Sequence, residues 1–392
     1  RRATPVAKTK ATQPRPKAKA RPAAYPPGAP NLKASQKWAD GLLLAVKQHL
    51  QNLGLTDFET LCAALAEFTL VITTTYSGVG SAEWSAKILQ QAFEALGFII
   101  KIIFYSACDI DKHCQRFLGK HHDPPHHVFN NVCSWAPDDV VCKLFRLQAQ
   151  FRDQLRAVPT HQHLAAKKEL GDAFFDQACQ FLRKVRADNT IKNWCSVHGK
   201  NCPVYPSDVL GDKVIWVEVG GNTCTPWSVA GASMGWLDPA SIPSLIWGWW
   251  MGNVKPTHVI NECTPRWPIQ RFFDGLMPGV YQLQSIKICP TQLARPGKRL
   301  RLYGAGSRAD QTHRLFEMGE FLEKRVYRSV VMDPNVFFCA PEDVQRQCLA
   351  RMLESRKITV TPGQPLDMRL VMTFASRARR SAYKQLWEAQ GC

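Results

Sequence analysis

The sequence predicts an α/β fold, a doubly wound and mostly parallel sheet covered by helices on both faces. Short runs rich in β-branched and aromatic residues alternate with segments whose apolar residues recur at helical spacing, the pattern of strands joined by crossover helices. Of the 392 residues, 45% are apolar and 21% charged, enough to bury a core in one large domain or two ordinary ones.

The elements follow in order from about residue 36. "KWADGLLLAVKQHLQNLG" is a helix closed by a glycine. "FTLVITTTYSGVGS" is a strand stopping in a Gly-rich turn, and "AEWSAKILQQAFEALG" is the helix after it. "FIIKIIFYSACDID" is a buried strand ending on two acids, "KHCQRFLGKHH" a helix and "HHVFNNV" a short strand. Residues of about 138–200 interrupt the alternation as a helical insertion carrying two charged amphipathic helices. The sheet resumes with "KVIWVEVG", "THVINEC", "YQLQSIKIC" and "RLRLYGAG". The Trp-rich "WGWWMGN" is expected to pack as a helix rather than to stack bases.

Charge is the outlier in composition, at +18 net. Residues 1–35 hold nine Lys and Arg and no acid. They carry too little apolar surface to offset the entropy of ordering, so a disordered basic arm is expected there. Such an arm contacts phosphates without reading sequence, which favours nucleic acid over a membrane surface, with solubility alone as the competing explanation. No run reaches the roughly 18 apolar residues that span a bilayer, and no secretory signal opens the chain. Starting on Arg1, it is expected to be cut from a longer product. Fourteen cysteines without framework spacing suit a reducing compartment, nucleus or cytosol.

In an open parallel sheet, ligands sit outside the carboxyl ends of the strands. Gly78 and Gly80 stand at such an end and let the backbone bend sharply. Asp109 and Asp111 end the next strand, where a carboxylate can accept hydrogen bonds from ribose hydroxyls. About thirty residues separate Gly78 from Asp109, against about twenty in dinucleotide sites. No three-glycine fingerprint is present either, so a nucleoside cofactor without phosphates fits better than NAD. Cys224 follows a later strand, in a turn where a thiol can be exposed and activated; the alternative is a packed thiol like most of the fourteen.

With these segments in this order, the chain resembles the DNA cytosine-5 methyltransferases over most of residues 70–308. "TYSGVGS" is similar to the family's loop for S-adenosylmethionine, implying cofactor contacts by Tyr76, Ser77, Gly78 and Gly80. "CDID" looks like the ribose-binding segment, implying Asp109 and Ile110, and Asn131 stands where the family has an Asp near the adenine. "GGNTCTPWSVAG" resembles the catalytic loop, with Cys224 as nucleophile, and "THVINECTPRW" matches the Glu segment through Glu262. "ARPGKRLRLYGAGSR" resembles the arginine strand through Pro296, Arg299 and Arg301. Departures are Asn222 and Thr223 for two prolines, Cys263 and Thr264 after Glu262, and Gly297 for a Gln. The family's final two motifs are not recognisable after residue 310.

The resemblance implies a Rossmann-like methyltransferase fold, with 36–310 as catalytic domain and 311–392 as a partial target-recognition or C-terminal helical region. It implies that Cys224 adds to C6 of a flipped cytosine, making C5 enamine-like. Glu262 protonates N3 from a partly desolvated pocket. Arg299 and Arg301, alternating along one strand, hold the base or a phosphate. DNA is the implied substrate, with RNA open. A catalytically silent relative that binds nucleic acid or chromatin is the other reading, favoured by the altered prolines.

A weaker constellation is "CSVHGKNC", with Cys195, His198 and Cys202 as three zinc-type ligands; "KHHDPPHH" adds four histidines upstream. Structural zinc takes four ligands and no clean fourth follows Cys202. No metal site is assigned, and reduced surface thiols in a polar loop are expected.

Overall fold

The computed structural model describes residues 25–54, 57–121, 123–228, 233–332 and 342–358. It divides into two compact units at Met332/Asp333. The described part of the second unit is one helix with its C-terminal turn, whose Leu349 and Leu353 are buried against Ile358. Residues 1–24 of the expected basic arm lie outside the described residues, as do residues 359–392 of the expected C-terminal region.

The first unit opens with helices α1 (Leu32–Gln36), α2 (Trp38–Leu53) and α3 (Phe58–Ala66). Strand β1 (Thr69–Thr75), α4 (Ser81–Ala95), β2 (Lys101–Cys108), α5 (Lys112–Leu118) and β3 (His127–Phe129) follow. Next come α6 (Asp138–Ala157), α7 (His163–Leu182), β4 (Lys192–Cys195), β5 (Lys200–Pro203) and β6 (Val214–Gly221). The unit continues with α8 (Ile242–Val254), β7 (His258–Cys263), α9 (Ile269–Leu276), β8 (Tyr281–Ile288), β9 (Arg301–Arg308) and α10 (Met318–Phe321). The helix of the second unit is α11 (Glu342–Ser355).

The strands form one mixed, largely parallel sheet of order β5-β4-β3-β2-β1-β6-β7-β9-β8. Strands β3, β2, β1, β6 and β7 run parallel, while β9 is antiparallel to both β7 and β8. From β1 the chain winds outward to β2 and β3, then returns to start β6 on the other side of β1. The order therefore reverses between β1 and β6, which opens a crevice at their carboxyl ends.

Period-two alternation decides which residues face which layer. Thr73 and Thr75 point to one face and meet Glu218 of β6, which also accepts from Trp247 on α8. Thr74 points to the other face and donates to Glu83 of α4. The α8 side holds the larger core, with Phe174, Phe175, Trp236, Trp247, Trp250 and Phe272. The opposite side packs α2, α3 and α4 around Leu43, Leu50, Phe58, Phe93 and Ile100. The tryptophans of "WGWWMGN" are buried within α8, as expected.

Three features depart from the sequence expectation. The insertion ends in a hairpin, β4–β5, which extends the sheet beyond β3 through the Phe129–Cys195 pairing. Its strands are four residues long and rich in Lys and Asn, so no hydrophobic alternation announced them. Residues 25–35, assigned to the disordered arm, are tied down: Ser329 N donates to Pro26 O at 2.8 Å, Gly28 N donates to Ser329 O at 2.9 Å, and α1 is capped by Asn31. Finally, β9 begins at Arg301, so Arg299 precedes it as an exposed residue. The alternation expected to align Arg299 with Arg301 therefore does not apply.

Candidate functional site

The loops after β1 and β6 leave the sheet side by side at the switch point. After β1 the chain turns through Tyr76 at φ +57°, Gly78 at φ +57° and Gly80 at φ +79°. Glycine suits the last two because left-handed backbone crowds a Cβ. A Cβ on Gly80 would lie 2.9 Å from the His121 ring, whereas one on Gly78 would meet no atom within 4 Å. The open side of the turn is thus at Gly78.

Asp109, just past β2, holds this turn. Its Oδ2 accepts from Gly78 N at 2.8 Å and its Oδ1 from Asp111 N at 2.9 Å. Each carboxylate oxygen keeps a second lone pair for another donor. Ile110 beside it is 79% exposed. Asn131, just past β3, caps the following turn by accepting from Cys133 N at 2.9 Å. Gly78, Asp109, Ile110 and Asn131 therefore stand along one rim, on the adjacent carboxyl ends of β1, β2 and β3, whereas the Tyr76 hydroxyl is buried against the core and the Ser77 hydroxyl is taken up by β2, donating to Cys108 O at 3.2 Å. No phosphate-type basic cluster stands among them.

Across the switch point, β6 ends at Gly221, whose register partner on β7 is Glu262. A Cβ on Gly221 would lie 3.5 Å from Tyr76 O and 3.8 Å from Glu262 Oε2. The β1 turn, the β6 end and Glu262 thus meet at one point. Glu262 Oε1 takes an ion pair from Arg301 Nε at 2.8 Å, with the side chains 32% and 17% exposed. This pairing follows from β9 lying against β7, with Glu262 opposite Tyr303.

Cys224 lies three residues beyond Gly221, half-buried at the start of a 3₁₀ turn through Trp227. The Cys263 thiol beneath it faces Asn222 O at 3.7 Å and Thr223 O at 3.9 Å. Burial pushes the Cys263 thiol up to about 12, the neighbouring Glu262 and Cys224 adding to the effect, while the Thr264 backbone amide opposes it. Cys263 is therefore the inert thiol of the two, and Cys224, partly buried against the main core, is the more exposed one. The structure brings Cys224, Glu262 and Arg301 to one end of the sheet; Arg299 stays on the exposed approach.

Several further residues stand around this site. Glu218, 1% exposed beneath the crevice, accepts from Thr73, Thr75 and Trp247 Nε1, the last at 2.8 Å. Burial pushes its carboxyl up to about 7 against those three donors. Its signal was an acid inside an apolar strand run. Asn222, 3% exposed, has no hydrogen-bond partner for either amide atom among the described residues, an uncommon and costly state. Gln148 of α6 fixes the segment after the thiol loop, donating to Trp236 O at 2.7 Å and Asp238 O at 3.0 Å. Beside that loop, a cavity of about 330 Å³ is lined by Trp227 and Trp236 with Lys167, Lys168 and Arg266 at its rim. It does not reach Cys224 or Glu262.

No family model matches the chain, and no curated protein matches it. Among solved structures it is similar to the Dnmt2 methyltransferase of S. pombe, at 13% identity over 66% of this chain and 54% of that one, TM-score 0.33. It is similar to a putative DNA modification methyltransferase encoded within an E. coli prophage, at 14% identity, covering 68% and 52%, TM-score 0.33. A third is the methyltransferase EhMeth of Entamoeba histolytica, at 10% identity, covering 64% and 56%, TM-score 0.32. The chain spans about half the length of each of these structures.

Proposed function

We propose that this protein is an S-adenosylmethionine-dependent methyltransferase acting on C5 of cytosine in nucleic acid, DNA foremost, through a covalent adduct with Cys224. One observation carries the reading. The half-buried Cys224 thiol, the Glu262–Arg301 pair and the Gly78 turn gather at the carboxyl ends of the strands where the sheet order reverses, the place where such sheets bind ligands.

The cofactor rim fits a nucleoside: an open glycine turn, the Asp109 carboxylate for hydroxyls and the exposed Ile110 for an apolar face. When bound, S-adenosylmethionine supplies an electrophilic methyl group. Cytosine C5 alone is a weak nucleophile. Addition of the Cys224 thiolate to C6 breaks the aromatic ring and concentrates electron density at C5. Glu262, with Oε1 held by Arg301 and Oε2 facing the crevice, meets the N3 edge and shares a proton with it as charge builds. Arg301, fixed by that ion pair, adds positive charge where the ring becomes electron-rich. Once C5 carries the methyl group, loss of its proton to water breaks the C6–S bond, releases Cys224 as thiolate and restores the ring.

Such chemistry needs the base out of its stack. The cavity beside the partly exposed Trp227, lined also by Lys167, Lys168 and Arg266, suits an adjoining strand, since cations follow phosphates and an open aromatic face stacks bases. The basic residues of positions 1–35 add affinity without sequence. A catalytically silent nucleic-acid binder is the second reading, favoured by Asn222 and Thr223 in place of a stiff proline pair.

The test is transfer of labelled methyl groups to cytosine-containing DNA and RNA by the wild type and Cys224→Ala. Transfer to DNA that disappears in the variant supports the proposal. Transfer confined to RNA moves the substrate, and binding without transfer to either supports the silent reading.

A further inference from the structure

We propose that His127, Cys195, His198 and Cys202 form a structural zinc site that fastens the β4–β5 hairpin to the edge of the sheet. The ligand atoms of these four side chains all lie within 4.8 Å of one another. The sequence alone supplied three of them, and the fold supplies the fourth from far upstream.

Register explains the convergence. Phe129 pairs with Cys195, and Asn193 pairs with Cys202. Directly paired residues share a face, as do residues two apart on one strand. His127, Cys195 and Cys202 therefore emerge on the same side of β3, β4 and β5. The hairpin turn then carries His198 back over them: its Nδ1 lies 3.4 Å from Cys195 Sγ and 3.5 Å from Cys202 Sγ. Zinc bonds of about 2.3 Å to sulfur and about 2.0 Å to nitrogen, at a tetrahedral angle, would separate S and N by about 3.6 Å. The two distances are those of a site already close to ligation geometry.

A second observation points the same way. His127 Nδ1 is buried without a hydrogen-bond partner among the described residues, while its ring lies 4.9 Å from that of His198. Such an atom carries a cost unless something bonds to it. Two thiolates and two imidazoles form a borderline-soft tetrahedral set, which suits zinc, and four protein ligands leave no position for substrate. The role is structural. It is also needed: a two-stranded edge hairpin of short, polar strands buries little apolar surface, and metal binding adds directly to folding free energy. The hairpin in turn braces the sheet end, since Asn193 Nδ2 donates to Asn131 O at 2.9 Å. None of this depends on the proposed enzyme activity.

The full chain, without a polyhistidine tag and under reducing conditions, is assayed for zinc by elemental mass spectrometry. It is then depleted and refilled with Co²⁺ alone. The expected result is about one zinc per chain, and a cobalt spectrum with thiolate charge-transfer and tetrahedral bands. Zinc should also protect Cys195 and Cys202 from alkylation, as mapped on the wild type. Stoichiometry should fall at least tenfold in Cys202→Ser and in His127→Ala, and stay unchanged in Cys142→Ser, an exposed thiol outside the cluster. Wild-type protein that carries no zinc and gives no cobalt charge-transfer band overturns the proposal. So does a Cys195–Cys202 disulfide in place of the metal, or a folded His127→Ala variant with full zinc and an unchanged tetrahedral spectrum. The alkylation map needs no variant, so a variant that fails to fold leaves the proposal decidable.

Discussion

Replacing Glu218 with Gln should abolish a specific part of the pH dependence of stability. The wild-type carboxyl is fully buried between β1, β6 and α8, and burial raises it from an ordinary 4.5 to about 7. The three donors around it favour the ionised form, but desolvation is the larger effect. Between these two values the folded state keeps a proton that the unfolded chain has released. Stability contributed by the protonated group is thus full below about pH 4.5 and lost as pH rises through about 7. The interval corresponds to about 3 kcal/mol, at about 1.4 kcal/mol per tenfold change in proton affinity. Urea unfolding of wild type and Glu218→Gln at pH 5, 6, 7 and 8 gives the difference curve, in which other titrating groups cancel. The wild type should lose about 2–3 kcal/mol relative to the variant across that range, the rest of the interval lying below pH 5. Parallel curves would refute the reasoning and mean that the hydrogen bonds outweigh desolvation.

Three further outcomes follow from the same geometry. Arg301→Lys removes the planar fork that holds Glu262, so methyl transfer should fall by about 10²-fold in kcat while the unfolding midpoint moves little, a partly exposed pair contributing about 1 kcal/mol or less. An unchanged kcat contradicts the role given to the pair. Asp109→Asn should raise the dissociation constant for S-adenosylmethionine about tenfold or more, because a neutral amide cannot accept from both Gly78 N and Asp111 N; calorimetry showing unaltered affinity opposes this. Gly220→Ala places a Cβ 2.5 Å from the Trp247 ring and should cost about 1–3 kcal/mol, so an unfolding midpoint equal to wild type would show that α8 yields freely.

Much of the sheet was legible because its buried parallel strands are continuous β-branched runs. "LVITTT" and "FIIKIIF" lie within or overlap β1 and β2, and the glycines and acids at their ends lie where such sheets place ligands. The positions of Cys224 and Glu262, at or just past strand ends, were legible for the same reason. What escaped depends on pairing across the fold. Arg299 and Arg301 were expected to act together on one strand, but β9 begins at Arg301, and it is Arg301 that pairs with Glu262 of β7. The β4–β5 hairpin lacks an apolar face, so only its pairing with β3 reveals it. His127 joins Cys195, His198 and Cys202 through that same pairing, which local spacing does not encode.

The central claim is that the Cys224 sulfur attacks cytosine. Its most direct test incubates the protein with S-adenosylmethionine and an oligonucleotide bearing 5-fluorocytosine, whose C5 fluorine blocks release of the thiol. A denaturation-resistant adduct mapped by peptide mass spectrometry to Cys224, and lost in Cys224→Ala, is the expected result. An adduct that persists in that variant, or none on any DNA or RNA offered, contradicts it.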